Sequence, residues 1–116
     1  MFIAYIIVTI VTILANAGVA VTDFLRTDSV LANSAEVRVA PSWLPLLGAF
    51  KAAGAVGLLF GLLGVPLIGE LAAACLVLFF IGAIAFHVRA RVFHNIAAPG
   101  VFLAFAIASL ILAVKH

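Results

Sequence analysis

The chain has a single cysteine in 116 residues, Cys75, and this scarcity excludes one class of membrane enzyme. One thiol forms neither an internal disulfide nor a Cys-x-x-Cys pair. Four-helix membrane oxidoreductases that exchange disulfides with a quinone need paired thiols, so this chain is not of that type. Metal ligands are also scarce. His87 and His94 are separated by a predicted loop, whereas stable metal sites usually need three or four ligands, and we expect no metal or haem site.

Charged residues are few as well, with four acidic and six basic side chains against 68% hydrophobic residues. The mean hydropathy of +1.45 lies outside the range of a soluble domain of this length. One membrane crossing needs about 20 apolar residues, and the sequence holds four such runs. We therefore predict an all-α fold, a membrane four-helix bundle with four antiparallel, up-down transmembrane helices. The basic residues lie near the predicted membrane edges, which suits lipid headgroups and leaves no patch for nucleic acid.

The predicted spans are residues 2–22, 43–63, 67–87 and 99–115 of a single integral membrane domain, residues 1–116. The first run is predicted to be a span rather than a cleaved signal, because no Lys or Arg precedes it and it continues through Val21. Loop 23–42 is long for a structureless connection. We expect a short interfacial helix there, with Val30, Leu31 and Val37 resting on the bilayer surface.

The distribution of basic residues predicts the orientation. Loops one and three hold four arginines, which are Arg26, Arg38, Arg89 and Arg91. The opposite side, which carries the termini and loop two, holds only one basic residue, Lys115. Positive residues favour the cytoplasmic side. We expect an integral protein of the bacterial plasma membrane with loops one and three cytoplasmic and both termini outside.

Glycines mark one face of span two. Gly54, Gly57, Gly61 and Gly64 are spaced 3, 4 and 3 residues apart and include a Gly-x-x-x-Gly pair. Small residues in this pattern allow a neighbouring helix to approach closely. We predict that these four glycines pack helices together, either inside the bundle or along a homodimer seam.

Polar residues within the spans carry the functional signal. Lys51 lies about 12 Å into span two, where an ammonium is costly without partners. Asn16 lies at about the same depth in span one and shares a helix face with Asp23. His87 closes span three on the same side. We predict that Asn16, Asp23, Lys51 and His87 form one polar ligand-binding pocket. The alternative is that Lys51 extends along its own stem to the headgroups, while Asp23 and His87 only mark span ends.

The segment Leu47–Leu59, with the sequence LGAFKAAGAVGLL, resembles the Leu-Gly-x-x-Lys-x-x-Gly-Ala-x-Gly-Leu-Leu segment of DoxX-like membrane proteins. The end of span three is similar to that family too, at Phe80, Gly82, Ala83, His87, Val88 and Arg89. One difference is that family members often carry a lysine after the small residues of span one. This chain reads AGVAVTD over residues 17–23, so the role of that lysine does not carry over.

The resemblance implies a compact four-helix bundle in a family named after a subunit of a thiosulfate:quinone oxidoreductase. Related proteins are linked to redox complexes, oxidative-stress responses and membrane-protein assembly. Two functions follow as expectations. The first is an accessory subunit of a membrane redox system that binds a quinone or lipid headgroup. The second is a structural partner or assembly factor, alone or as a homodimer, that binds no small molecule. Catalysis by this chain alone ranks third, because the sequence shows no nucleophile with a base and no cofactor motif.

Overall fold

The computed structural model describes residues 2–25, 27–94 and 96–115. Arg26 and the chain ends, which the orientation prediction also used, lie outside these residues. The described chain is 87% helical without strands, so the predicted all-α fold is confirmed. It contains five α-helices and a 3-10 turn at Pro41–Trp43: α1 (Phe2–Leu25), α2 (Asp28–Glu36), α3 (Leu44–Leu62), α4 (Pro66–Arg89) and α5 (Ala97–Lys115).

Four of these helices, α1, α3, α4 and α5, are long and apolar enough to cross a membrane. Helix α1 packs against α3 and α5, and α4 packs against the same two helices, so the four form a closed ring. The longest dimension of the molecule is 39 Å, close to the roughly 36 Å of a 24-residue helix. The predicted four-helix membrane bundle is therefore confirmed.

The distribution of side chains in α1 is the reverse of that in a soluble helix. Its buried positions are polar, aromatic or small, and they are Tyr5, Thr9, Thr12, Asn16, Ala20 and Asp23. Its opposite face exposes large aliphatic side chains such as Ile3, Leu14 and Leu25, which are 72%, 66% and 71% exposed. Exposure of such an apolar face to water would be unfavourable, whereas lipid tails solvate it. The chain is an integral membrane protein.

The helices extend beyond the predicted spans at several ends. Helix α1 continues three residues past Thr22, and this places Asp23 inside the helix instead of in the loop. Helix α4 begins at Pro66 and ends at Arg89. After it, Val92 N–H donates to the His87 carbonyl (2.9 Å) and Arg91 N–H to the Val88 carbonyl (3.0 Å), the bonds of a Schellman helix end. Hydropathy averages over a span and does not detect such terminal bonds.

A helix forms in loop one as expected, at Asp28–Glu36. The prediction that Val37, the residue after it, rests on the bilayer surface was wrong. Val37 is 7% exposed and Val39 is 8% exposed. Both side chains line a cavity between α2 and the ends of α3 and α4 instead of lying on the bilayer surface. Nearby, His94 Nε2 lies 3.1 Å from Glu36 Oε2, which connects loop three to loop one. Loop one is therefore folded onto the bundle.

Three of the four predicted packing glycines face α4. A Cβ atom added at Gly54, Gly57 or Gly61 would lie 2.6 to 2.7 Å from an atom of α4, closer than any real contact allows. This face of α3 is therefore occupied inside the chain and is not free to form a homodimer seam.

Gly64 does not pack helices, and that part of the prediction was wrong. It follows the end of α3, and an added Cβ would meet nothing within 4 Å. Its φ of 112° explains why glycine stands there, because side chains disfavour this conformation. The residue closes the turn into α4, where Val65 N–H donates to the Phe60 carbonyl at 3.0 Å. The regular 3, 4, 3 spacing did not distinguish the three glycines that pack against α4 from the one that forms the turn.

The orientation can be measured with two cysteines placed in a Cys75→Ala background. Leu63 in loop two and Phe93 in loop three are both exposed, at 71% and 58%. We expect a membrane-impermeant maleimide to label Leu63→Cys in intact bacterial cells, and Phe93→Cys only after permeabilisation, because arginines favour the cytoplasmic side. The opposite labelling pattern would mean that the orientation is reversed.

Candidate functional site

The bundle contains a partly open cavity of about 500 Å³ at the end that carries loops one and three. All five helices contribute to its walls, and Val37 and Val39, which follow α2, also line it. Its lining is mostly apolar and aromatic, and it consists of Val19, Asp23, Val30, Ser34, Val37, Val39, Trp43, Leu44, Leu46, Leu47, Phe50, Lys51, Leu78, Phe79, Phe80, Gly82, Ala83, Phe86, His87, Ala98, Pro99 and Phe102. This volume lies within the range of small-molecule sites in proteins.

A charged pair lies in the wall of this cavity. Lys51 Nζ donates a hydrogen bond to Asp23 Oδ2 at 2.8 Å, and the two side chains are only 12% and 5% exposed. The ammonium also lies 5.4 Å from the centre of the Phe79 ring, within the range of a cation–π contact. The alternative that Lys51 merely extends to the headgroups does not describe this lysine, whose ammonium has a buried partner.

His87 lines the same cavity, and its tautomer follows from its local contact. Its Nδ1 atom lies 2.8 Å from the Ala83 carbonyl oxygen. A carbonyl only accepts hydrogen bonds, so Nδ1–H is the donor. In the neutral imidazole, Nε2 then remains as an acceptor for a ligand hydroxyl.

Asn16, the fourth predicted site residue, does not line the cavity. It lies two helical turns from Asp23, about 10 Å along α1, and is 1% exposed. Its Nδ2 atom donates to the Thr12 carbonyl at 2.9 Å. The structure therefore brings Asp23, Lys51 and His87 to one cavity and leaves Asn16 deeper in the bundle.

Gly48 is a determinant of this site that the glycine spacing did not reveal. A Cβ atom there would lie 3.1 Å from Asp23 Cβ and 3.2 Å from the Ala20 carbonyl oxygen. The glycine thus lets α3 approach α1 one turn before Lys51, where the ammonium reaches Asp23. Gly48 faces α1, whereas the other packing glycines face α4. Gly48 lies three residues before Lys51, about one helical turn away, and this spacing could have indicated that the glycine faces the same helix as the lysine.

Asn16 belongs to a buried polar row along α1 that sequence reasoning also missed. Thr12 Oγ1 donates to the Val8 carbonyl at 2.8 Å, so Ser109 Oγ donates in turn to Thr12 Oγ1 at 2.9 Å. Among the described residues, Thr9 Oγ1 and Asn16 Oδ1 are buried without a hydrogen-bond partner. The signal was present in the spacing of polar residues in span one, but hydroxyl residues are common in membrane helices and attract little notice.

Fold and cavity together define a class: a four-helix integral membrane protein with an ion-paired cavity at one end. The family profile of the DoxX-like family matches residues 7–109, so the chain belongs to the DoxX-like family. Comparison with curated proteins and with solved structures gave no significant match.

Proposed function

We propose that this protein is an accessory subunit of a membrane redox system that holds a quinone or the polar end of a lipid at Lys51. The observation that supports the proposal is the buried Lys51–Asp23 pair in the wall of a cavity of about 500 Å³ whose lining is mostly apolar. An intramembrane charge pair is costly, and such residues usually mark functional sites.

The cavity groups fit a ligand that carries a carbonyl or hydroxyl oxygen on an apolar body. Lys51 has three N–H donors, and one is used by Asp23. The others can bind a ligand carbonyl, and His87 Nε2 can accept from a hydroxyl. Aromatic side chains around them, including Phe79, Phe80 and Phe102, provide the wall for a ring or chain.

We assign electron transfer to a partner subunit. The polar side chains of the cavity, which are those of Lys51, Asp23, His87 and Ser34, bind and orient a ligand but do not themselves carry electrons. This chain would therefore present the ligand to a redox protein in the same membrane. The alternative function, a structural partner or assembly factor that binds no small molecule, uses the same bundle without the cavity.

Ligand retention separates the two functions. Wild-type protein in nanodiscs would be loaded with a short-chain ubiquinone or with phosphatidylethanolamine, and bound molecules counted by native mass spectrometry. We expect the Asp23→Leu/Lys51→Met variant to fold but to retain at least about tenfold less of one of these probes, since each lost charge-assisted hydrogen bond is worth about 1.5–3 kcal/mol.

The matched control is Glu36→Gln/His94→Gln, which removes the exposed ion pair at the same end outside the cavity. It should retain the probe as wild type does. Equal retention by the Asp23→Leu/Lys51→Met variant, or no retention of either probe by wild type, would contradict the cavity function and favour the structural partner.

A further inference from the structure

A second, smaller groove of about 180 Å³ lies next to the cavity, on the side of loops one and three. Two arginines line it, Arg38 in loop one and Arg89 at the end of α4. Its other lining residues are Val39, Ala40, Trp43 and Phe86. Three of these, Val39, Trp43 and Phe86, also line the cavity, so the two spaces share a wall.

The Arg89 guanidinium and the Arg38 backbone each have a defined position in the fold. The Arg89 guanidinium carbon lies 4.6 Å from the centre of the Phe86 ring. Arg38 has a φ of 62° at the end of α2, where Val39 N–H donates to the Ser34 carbonyl at 2.8 Å. Glycine is the usual residue at this position of a helix end. Arginine is less stable than glycine in this backbone conformation, so the positive charge at position 38 comes with a strained backbone.

Among the residues that the structure describes, no acidic side chain lies within ion-pair distance of either guanidinium. The ion pairs found there join Lys51 to Asp23 and, when His94 is protonated, His94 to Glu36. Arg38 and Arg89 therefore present two positive charges to the groove. Guanidinium groups bind phosphate oxygens through paired N–H donors, so a phosphate group is the anion that the groove fits.

We propose that this groove binds the phosphate of an acidic phospholipid. The groove lies where α4 leaves the apolar core, and the adjoining indole of Trp43 is 51% exposed, as in residues of the membrane interface. The wall that it shares with the cavity gives an acyl chain an apolar surface. This site goes beyond the cavity function and does not depend on which ligand Lys51 holds.

The test measures lipid preference. Protein in mild detergent would be mixed with equal amounts of phosphatidylglycerol and phosphatidylcholine of matched chains, and bound lipids counted by native mass spectrometry. Wild type should prefer phosphatidylglycerol. One basic residue near an anionic surface contributes about a fivefold preference, so Arg38→Gln or Arg89→Gln should reduce the preference about fivefold, and the double variant about 30-fold.

Arg91→Gln is a matched control. Arg91 has a similar φ of 57° at the end of α4, on the same side of the membrane, but does not line the groove. It should keep the wild-type preference. Since Arg89 lies on a regular helix, Arg89→Gln tests the site without disturbing a strained loop residue.

Three outcomes would overturn the proposal: wild type without lipid preference, Arg91→Gln as defective as Arg38→Gln, or displacement of phosphatidylglycerol by millimolar inorganic phosphate. The second would mean a diffuse surface charge, and the third a site for a soluble anion. Asp23→Leu/Lys51→Met should keep the phosphatidylglycerol preference, so failure of the cavity function and failure of this site are distinguishable.

Discussion

We expect Asp23→Leu to lower the free energy of unfolding by about 3–5 kcal/mol, because the substitution leaves the ammonium of Lys51 without its buried partner. The Asp23 and Lys51 side chains are 5% and 12% exposed. Their contact at 2.8 Å holds α1 against α3. Unfolding measured by steric trapping in bicelles would give the change.

A double-mutant cycle separates the interaction energy of the Asp23–Lys51 contact from the effects of the two single substitutions. Asp23→Leu/Lys51→Met removes both charges, so we expect it to recover most of the stability that Asp23→Leu loses. As a control, Glu36→Ala breaks the exposed pair with His94, whose side chains are 41% and 68% exposed, and should cost about 1 kcal/mol or less. Additive effects of the two cavity substitutions would show that the contact does not stabilise the bundle.

The sequence was sufficient for the number and arrangement of the membrane helices, because their length and apolar content leave few alternatives in a bilayer. It was less informative about the helix ends. Span one was ended at Thr22 because a charged residue follows, yet α1 continues to Leu25. Asp23 remains helical because its charge is satisfied by Lys51 inside the bundle. A contact between distant parts of the chain decided this boundary.

The candidate site was predicted only in part, because it also depends on a contact between distant parts of the chain. Asp23, Lys51 and His87 were placed on one side by their depths in the predicted spans, and they do line one cavity. Asn16 was included because its depth was matched to the Cα of Lys51. The lysine side chain instead reaches toward Asp23, about two helical turns from Asn16. Depth along a helix axis does not report the direction of a long, flexible side chain.

The part of the cavity wall that loop one forms was not predictable from the sequence. Val37 was expected on the bilayer surface, since an apolar side chain in a loop of a membrane protein usually contacts lipid, and no burial was predicted for Val39. Both are instead buried, at 7% and 8% exposure, beneath α2. The bonds that end α2, including Arg38 N–H to the Ala35 carbonyl at 3.2 Å, turn the chain back over the bundle. Nothing in the composition of loop one indicates this fold-back.

Helices α3 and α4 approach each other backbone to backbone at Gly61 and Gly69. A Cβ atom at Gly61 would be 2.7 Å from Gly69 Cα, and one at Gly69 would be 2.9 Å from Gly61 Cα. At Gly54, in contrast, the contact would be with the Leu76 side chain. A side chain can change rotamer, whereas the backbone of a packed helix moves only if the whole helix moves. Gly61 should therefore tolerate an added side chain less well than Gly54.

We expect Gly61→Leu to lower the free energy of unfolding by about 3 kcal/mol or more, and Gly61→Ala by about 1–3 kcal/mol, since both force α3 away from α4. Gly18→Ala is the matched control. Gly18 lies in α1 with nothing within 4 Å of an added Cβ, and alanine there should be neutral or gain up to about 1 kcal/mol. Thermal unfolding in detergent, followed by size-exclusion chromatography, compares the variants. If Gly61→Leu melted at the same temperature as wild type, the α3–α4 contact at Gly69 would not be the one that holds these helices together.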